Sequence, residues 1–223
     1  MKKYVDEKLG EGYTVPTIGL WDSVAEINEN KLPEKFVIKC THDSGSTIIC
    51  KDKSSVDSSG VKKHLDFCLK NNLFYLSREW PYKNVKPRII AEKLLEDETQ
   101  ESLTEYKLFC FDGVVRIVLI CKGVAHSNAR TNDFCDVELK RLPFTSLFPN
   151  SKGEIIKPKC YEKLLECASI LSKGIPFVRV DSYIVNDQIY FGELTFFHNS
   201  GLRRYEPNEW DIILGDWLQL PKK

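Results

Sequence analysis

Apolar positions fall into two rhythms along this chain. Short apolar runs bounded by turn residues predict strands, and three- and four-residue spacing predicts helices. "FVIKC" (Phe36–Cys40) and "STIIC" (46–50) read as strands about the polar "THDSG" hairpin loop. "YKLFCFDGVVRIVLIC" predicts a hairpin turning at Asp112-Gly113, and "FVRVDSYIVNDQIYFGELTF" a second one turning at Asn186-Asp187. "RIIAEKLLED" reads as a strand entering a connector, followed by an acidic, polar loop through Glu105. Helices are expected over Lys2–Leu9, near "SVAEI" behind an Asp22 or Ser23 cap, and over 61–71, 161–173 and 210–218. Residues 125–159, with Pro143, Pro149 and Pro158, read as an irregular, flexible substrate loop. The pattern is α+β with antiparallel sheet, folded as two interlocked lobes.

Composition narrows the class. The chain has 223 residues, enough for one sizeable core or two small lobes. Lys+Arg and Asp+Glu are both 32, and zero net charge weighs against a general nucleic-acid binder. The longest apolar runs are strand-sized, so no membrane span is expected. No charged start followed by an apolar stretch precedes Leu9, which argues against a signal peptide. The eight cysteines include no C-x-x-C pair, which points to reduced, buried thiols of a cytoplasmic protein.

Three places have the residue types for phosphate chemistry. Arg179 and Asp181 on one strand, and Glu193 and Thr195 on its hairpin partner, alternate with period two and can share a face. Two carboxylates, a hydroxyl and a guanidinium suit magnesium and a phosphoryl group, because magnesium takes hard oxygen ligands. An ordinary exposed strand face with an Arg–carboxylate ladder gives the same pattern. Lys39 lies in an apolar strand, so it should face a cavity or an anion, and the loop 41–47 offers backbone N–H groups. A snorkelling lysine beside a solvated turn is the alternative. The third place is "IAEKLLED" with Glu105 beyond it, where a connector can present backbone groups to a base and a carboxylate to a ribose. No Walker loop occurs, and His42, His64, His126 and His198 lack metal-ligand spacing.

The order of these features, with "LPEKFVIKCTHDSGSTIICKDKS", "REWPYKNVKPRIIAEKLLED", "LSKGIPFVRVDSYIVNDQIYFGELTF" and "WDIILGDWL", resembles the ATP-grasp superfamily over nearly the whole chain. Within it, the resemblance is to the teichuronopeptide-biosynthesis-like (TupA-like) branch of polysaccharide biosynthesis proteins. It implies one ATP-grasp unit over 1–223, with a smaller nucleotide-binding lobe at about 15–92 and a larger lobe at about 93–223. The branch's N-terminal extension and its phosphate-binding lysine are missing unless Lys2 substitutes. Two mainly antiparallel sheets with flanking helices would hold ATP and magnesium. Lys39 would hold the α- and β-phosphates, and the loop with His42, Ser44, Gly45 and Ser46 would close over the triphosphate. Glu92 would accept from the adenine amino group, with Lys93, Leu94 and Leu95 as hinge contacts. Glu105 would bind the ribose, and Lys107 would join the ATP-binding set. Asp181, Glu193 and Thr195 would bind metal, and Arg179 would stabilise the transferred phosphoryl. Arg130 and Arg203 would recruit an acidic sugar.

The activity so implied is an ATP-dependent carboxylate–amine ligase in bacterial cytoplasm. It would join an amino acid or small amine to a uronic-acid carboxylate of a capsule or cell-wall polysaccharide precursor, through an acyl phosphate. The chain departs from the branch pattern at Asp43, at Thr195 and at His198-Asn199. Asp43 and the missing upstream lysine motivate one alternative, an impaired nucleotide- or glycan-binding module that keeps the fold. A second, a nucleotide-sugar glycosyltransferase, rests only on the glycosyltransferase-like label the branch carries.

Overall fold

The computed structural model describes residues 1–97, 99–100, 102–123 and 129–221. The chain forms two compact units. The larger comprises Met1–Thr14 and Glu96–Lys223, and the smaller Val15–Leu95. Helix α1 (Lys2–Leu9) belongs to the larger unit and stops at Gly10, whose φ of 85° ends a helix without a Cβ clash.

The smaller unit contains β1 (Thr17–Trp21), β2 (Phe36–Cys40), β3 (Ile48–Cys50), α2 (Ser58–Leu69), α3 (Leu73–Ser77) and β4 (Ile89–Lys93). Its strands form one antiparallel sheet in the order β1-β4-β2-β3. Phe36, Ile38 and Cys40 face a core with Ile89, Ala91 and the buried Leu65 of α2, while Val37 and Lys39 lie on the other face.

Local chemistry moves several boundaries from those expected. The element near "SVAEI" is a single 3-10 turn, Val24–Glu26, because the Ser23 hydroxyl donates to Glu26 (3.0 Å) and caps no backbone N–H. α2 starts at Ser58 and not at 61, since Asp57 accepts from the Gly60 N–H at 3.0 Å. The short α3 was not expected and is capped by Asn72.

The larger unit resumes with β5 (Glu105–Phe111), β6 (Val114–Lys122), β7 (Thr131–Cys135), α4 (Tyr161–Ser172), β8 (Val178–Val185), β9 (Gln188–Thr195) and α5 (Glu209–Trp217). Its antiparallel sheet runs β7-β6-β5-β8-β9. Both expected hairpins form. Asp112 (φ 46°) with Gly113 (φ 82°), and Asn186 (φ 52°) with Asp187 (φ 61°), adopt the left-handed conformation that two-residue hairpin turns need. One face of the sheet packs on α1 and α4 through Leu108, Val118, Ile120, Val180 and Leu164. The opposite face holds an aromatic core of Phe109, Phe111, Phe134, Phe144 and Tyr205, against which Trp210 and Trp217 of α5 pack.

Two expectations need correction here. Glu105 begins β5 and does not lie in a loop. The segment 125–159 is not one irregular loop: β7 pairs with β6 from Lys122↔Thr131 to Val118↔Cys135. Buried Asp133 then ties the following chain down, accepting from Arg141 Nε (2.7 Å) and from the Ser151 hydroxyl (2.6 Å) and N–H (3.1 Å). The start of that segment, with His126, lies outside the described residues. All eight cysteines are free, and six are buried, as expected of reduced thiols.

Candidate functional site

The aromatic face of the larger unit's sheet changes character along its length. Beyond Phe109 the same face carries charge. Register fixes this, since Lys107 pairs with Asp181, Asp181 with Glu193, and Arg179 with Thr195. A register shift after Asp181 places Gly192 where a Cβ would sit 3.2 Å from the Asp181 carbonyl oxygen, so glycine lets β9 approach here.

Six charged side chains form a chain of alternating sign: Arg130, Glu105, Lys107, Asp181, Arg179, Glu193. Arg130 donates to Glu105 at 2.7 Å, and Lys107 lies 3.6 Å from Glu105 and 2.7 Å from Asp181. Arg179 forks onto Asp181 with two 2.6 Å bonds and reaches Glu193 at 3.2 Å and Thr195 at 3.0 Å. The Tyr183 hydroxyl donates to Glu105 at 3.1 Å. Arg179 and Asp181 are almost wholly buried, whereas the Glu193 side chain keeps 53% of its surface exposed.

Burial pushes the Asp181 carboxyl up, but Arg179 and Lys107 outweigh it and hold Asp181 below the usual carboxylate range. Burial likewise works against Glu105, and Lys107 and Arg130 bring it down. Glu193 moves the other way. Desolvation, then the neighbouring Asp181 charge, raises it, and its exposed surface moderates the first effect. Within the cluster, Glu193 is therefore the carboxylate easiest to protonate.

His198 completes the cluster and was not foreseen as a site residue. Its Nδ1 takes a very short hydrogen bond from Arg179, and its ring lies edge-on to Phe109, centroids 4.9 Å apart. Burial, then the Arg179 charge, pushes its pKa down to about 3, so it is a neutral acceptor. Tyr183 was legible from the period-two spacing after Asp181. His198 lies in a 3-10 turn after β9 (His198–Gly201), outside any strand or helix period.

In the smaller unit, Lys39 and Glu92 form an ion pair at 2.8 Å on adjacent strands, the lysine part-exposed and the carboxylate buried. Lys39 thus faces an anion, and that anion is Glu92. The loop after β2 is pinned by its own side chains. The Ser46 hydroxyl accepts from the Cys40 N–H (2.8 Å) and donates to Asp43 (2.6 Å). His42 is fully buried, with Nε2 2.9 Å from the Asn71 carbonyl. Facing a carbonyl oxygen, that nitrogen is the donor, and Nδ1 is buried without a hydrogen-bond partner. Ser44 and Gly45 (φ 113°) are exposed at the loop tip. Lys93 ends β4, its N–H bonded to the Pro16 carbonyl at 3.0 Å, and Leu94 and Leu95 follow it half-buried.

The larger unit also has an open polar cavity of about 540 Å³, lined by Ser146, Phe148, Arg203, Arg204 and Glu206. Arg203 is exposed there. Arg130 is not the surface arginine that charge and loop position suggested. It bonds Glu105 and lies over the Phe148 ring, 5.8 Å from its centroid.

A family model described as "TupA-like ATPgrasp" matches residues 1–219. The chain belongs to the TupA-like ATP-grasp family. Two solved structures share the fold. The ADP complex of purK, N5-carboxyaminoimidazole ribonucleotide synthetase, is 18% identical with a TM-score of 0.52, covering 90% of this chain and 45% of its own. D-cycloserine synthetase DcsG is 15% identical with a TM-score of 0.51, covering 98% of this chain and 70% of its own. The ATP complex of D-alanine–D-alanine ligase from Bacillus anthracis is 17% identical with a TM-score of 0.48, covering 97% and 64%. The chain thus spans less than two thirds of the length of that ligase and of purK. No curated protein matches the chain.

Members of the ATP-grasp family generally use ATP with magnesium. Among the described residues no three His, Cys, Asp or Glu side chains converge into a metal cage. The charged face instead carries a cross-strand carboxylate pair, Asp181 and Glu193, with the Thr195 hydroxyl 2.8 Å from Glu193 and both Asp181 oxygens bonded to Arg179 or Lys107. That donor set fits magnesium, which commonly takes one or two carboxylates and completes its shell with phosphate oxygens and water. Among the described residues no helix is long and apolar enough to cross a membrane.

Proposed function

We propose that this chain is an ATP- and magnesium-dependent carboxylate–amine ligase of surface polysaccharide biosynthesis, joining an amino acid or small amine to a uronic-acid carboxylate. The observation that carries the reading is the alternating charge chain, with Arg179 held between Asp181, Glu193 and His198. In such a reaction the acceptor carboxylate attacks the γ-phosphorus, ADP leaves, and an acyl phosphate forms. The amine then attacks the acyl carbon, phosphate leaves, and the amine's proton passes to solvent or a base. Phosphoryl transfer asks of the protein mainly positioning and charge neutralisation.

Each residue has a role in this reading. Arg179, kept cationic by its carboxylates, neutralises charge on the phosphoryl in flight. Asp181 and Glu193, with Thr195, would hold magnesium, which would supply charge to neutralise the phosphates. Lys39 binds phosphate by exchanging its Glu92 partner for a phosphate oxygen. Glu92 and the backbone of Lys93, Leu94 and Leu95 serve the base, while Glu105 and Lys107 serve the sugar and phosphates. In the loop, His42 and Ser46 hold the backbone in shape, and Ser44 and Gly45 offer N–H groups. Arg203, with Arg204, takes the acidic acceptor, and Arg130 orients Glu105.

A second reading rests on Asp181, whose two oxygens are already engaged by Arg179 and Lys107. If that network does not open, the chain is a nucleotide- or glycan-binding module without turnover. Calorimetric titration with ATP, with and without magnesium, separates the two. Tight binding abolished by chelator, followed by ADP release with a uronic acid and an amino acid, is expected. ATP binding without ADP release would favour the module. Nucleotide-sugar binding in place of ATP would indicate glycosyl transfer.

A further inference from the structure

The smaller unit exposes an unusual knob at residues 72–85. Tyr75, Leu76, Trp80 and Val85 expose 66%, 81%, 61% and 38% of their surface within eleven positions. Scattered exposed hydrophobics are ordinary, but such a concentration is not. The knob is built to hold its shape. Asn72 caps α3 through the Phe74 N–H (2.9 Å) and donates to the Lys83 carbonyl (3.1 Å), tying its two ends together. Arg78 ends α3 in the left-handed conformation (φ 61°), which turns the chain back on itself.

Cations are laid over the rings. Lys83 sits 4.2 Å from the Trp80 centroid and 5.2 Å from that of Phe74, and Arg78 lies 5.8 Å from Phe74. In a chain of zero net charge, positions 67–88 carry Lys70, Arg78, Lys83, Lys86 and Arg88 against one carboxylate, Glu79. Asp66 pairs with Lys70, and Asp22 with Lys86 and Arg88, so three carboxylates in all stand against the five cations and two positive charges remain in excess.

We propose that this knob docks the chain on an anionic lipid surface. Aromatic and aliphatic tips flanked by Lys and Arg suit the headgroup boundary, where the apolar tips are buried and the cations meet lipid phosphates. A sugar-stacking platform fits less well, because cations lie over the Trp80 and Phe74 rings and the most exposed side chain is the aliphatic Leu76. A symmetric second copy would bring two positive surfaces together. The inference is independent of the ligase reading, since it uses none of the residues assigned to nucleotide or metal.

The test is flotation of the full chain with vesicles of phosphatidylcholine, with and without about a third phosphatidylglycerol. Binding to the anionic vesicles alone is expected, with release in about 0.5 M salt, where screening is strong. Leu76→Ser with Trp80→Ser should weaken it roughly tenfold or more, as loss of buried apolar area predicts. Val85→Asp, a single change at the knob's edge, should do the same more mildly, and unfolding curves check that each variant is folded. No anionic binding, equal binding to both vesicles, or undiminished binding by both variants overturns the proposal. So does a loss of self-association on sedimentation as the only effect of the variants, which would identify a second copy as the occupant.

Discussion

The two faces of the larger unit's sheet use the same strands and consecutive residues, yet do different work. On one face Leu108 and Val180 pack under α4 with Leu164 in a continuous apolar layer. On the other, their neighbours Lys107, Arg179 and Asp181 form a buried network of opposite charges. An apolar layer tolerates a new side chain if volume is kept, whereas a buried ion network tolerates little loss of any partner. The comparison teaches where stability and chemistry separate. Folding needs both faces, and the second carries the charged groups proposed to meet nucleotide and metal.

The sharpest way to break that comparison is one substitution on each face. Leu164→Ala should cost about 2–5 kcal/mol in denaturant unfolding, as buried leucines do, and leave magnesium-dependent ATP affinity in the folded protein unchanged. Asp181→Asn keeps the shape but removes the buried carboxylate that Arg179 and Lys107 share, leaving each only its longer carboxylate contact, to Glu193 and Glu105 respectively. We expect about 3–5 kcal/mol lost, with a cooperative transition retained, and loss of magnesium-dependent nucleotide binding. Glu193→Gln should lose the same binding at much smaller cost in stability, since its side chain is half-exposed. Wild-type ATP binding in both carboxylate variants would remove the charged face from the nucleotide site.

The sheet was largely legible because both hairpins announce themselves through long apolar runs about Asp-Gly and Asn-Asp turns, and period two then puts Arg179, Asp181, Glu193 and Thr195 together. β7 was hidden for a physical reason. Its sequence, Thr-Asn-Asp-Phe-Cys, is too polar to read as a buried strand, and Asp133 is tolerated inside only because Arg141 and Ser151 meet it. The Lys39–Glu92 pair joins residues 53 apart, and sequence spacing does not report such pairing. His198 escaped notice similarly, since its meaning comes from Arg179 across the hairpin.

A gentler probe of the charged face is pH. The folded His198 sits near pKa 3 and an unfolded histidine near 6.5. Between those values the unfolded chain binds the extra proton, so stability is fullest above about 6.5 and falls as pH drops. Asp181, depressed in the folded state, adds its own loss only below the ordinary carboxylate range. Glu193, raised in the folded state by desolvation and by the Asp181 charge, acts in the opposite sense, its contribution being lost as pH rises through its folded pKa. Between about pH 5 and 6.5 the histidine makes melting temperatures rise with pH, and His198→Gln should flatten that slope relative to the parent. An unchanged slope would mean that His198 takes up a proton beside Arg179, contrary to its role as neutral acceptor.

The smallest expected effect sharpens the comparison with the other unit, where the loop after β2 is held by hydrogen bonds and not by a charge network. Ser46→Ala removes the acceptor of the buried Cys40 N–H and frees Asp43. An unsatisfied buried donor costs about 1–3 kcal/mol, which urea unfolding will measure. If Ser46 only shapes the loop, ATP affinity should fall by less than about tenfold (the equivalent of ~1.4 kcal/mol) while stability falls by the larger amount. The reverse pattern, unchanged stability with a greater loss of affinity, would mean that the hydroxyl leaves Asp43 to touch phosphate directly. The loop would then be a binding element that rearranges, in contrast to the fixed charges of the larger unit's sheet.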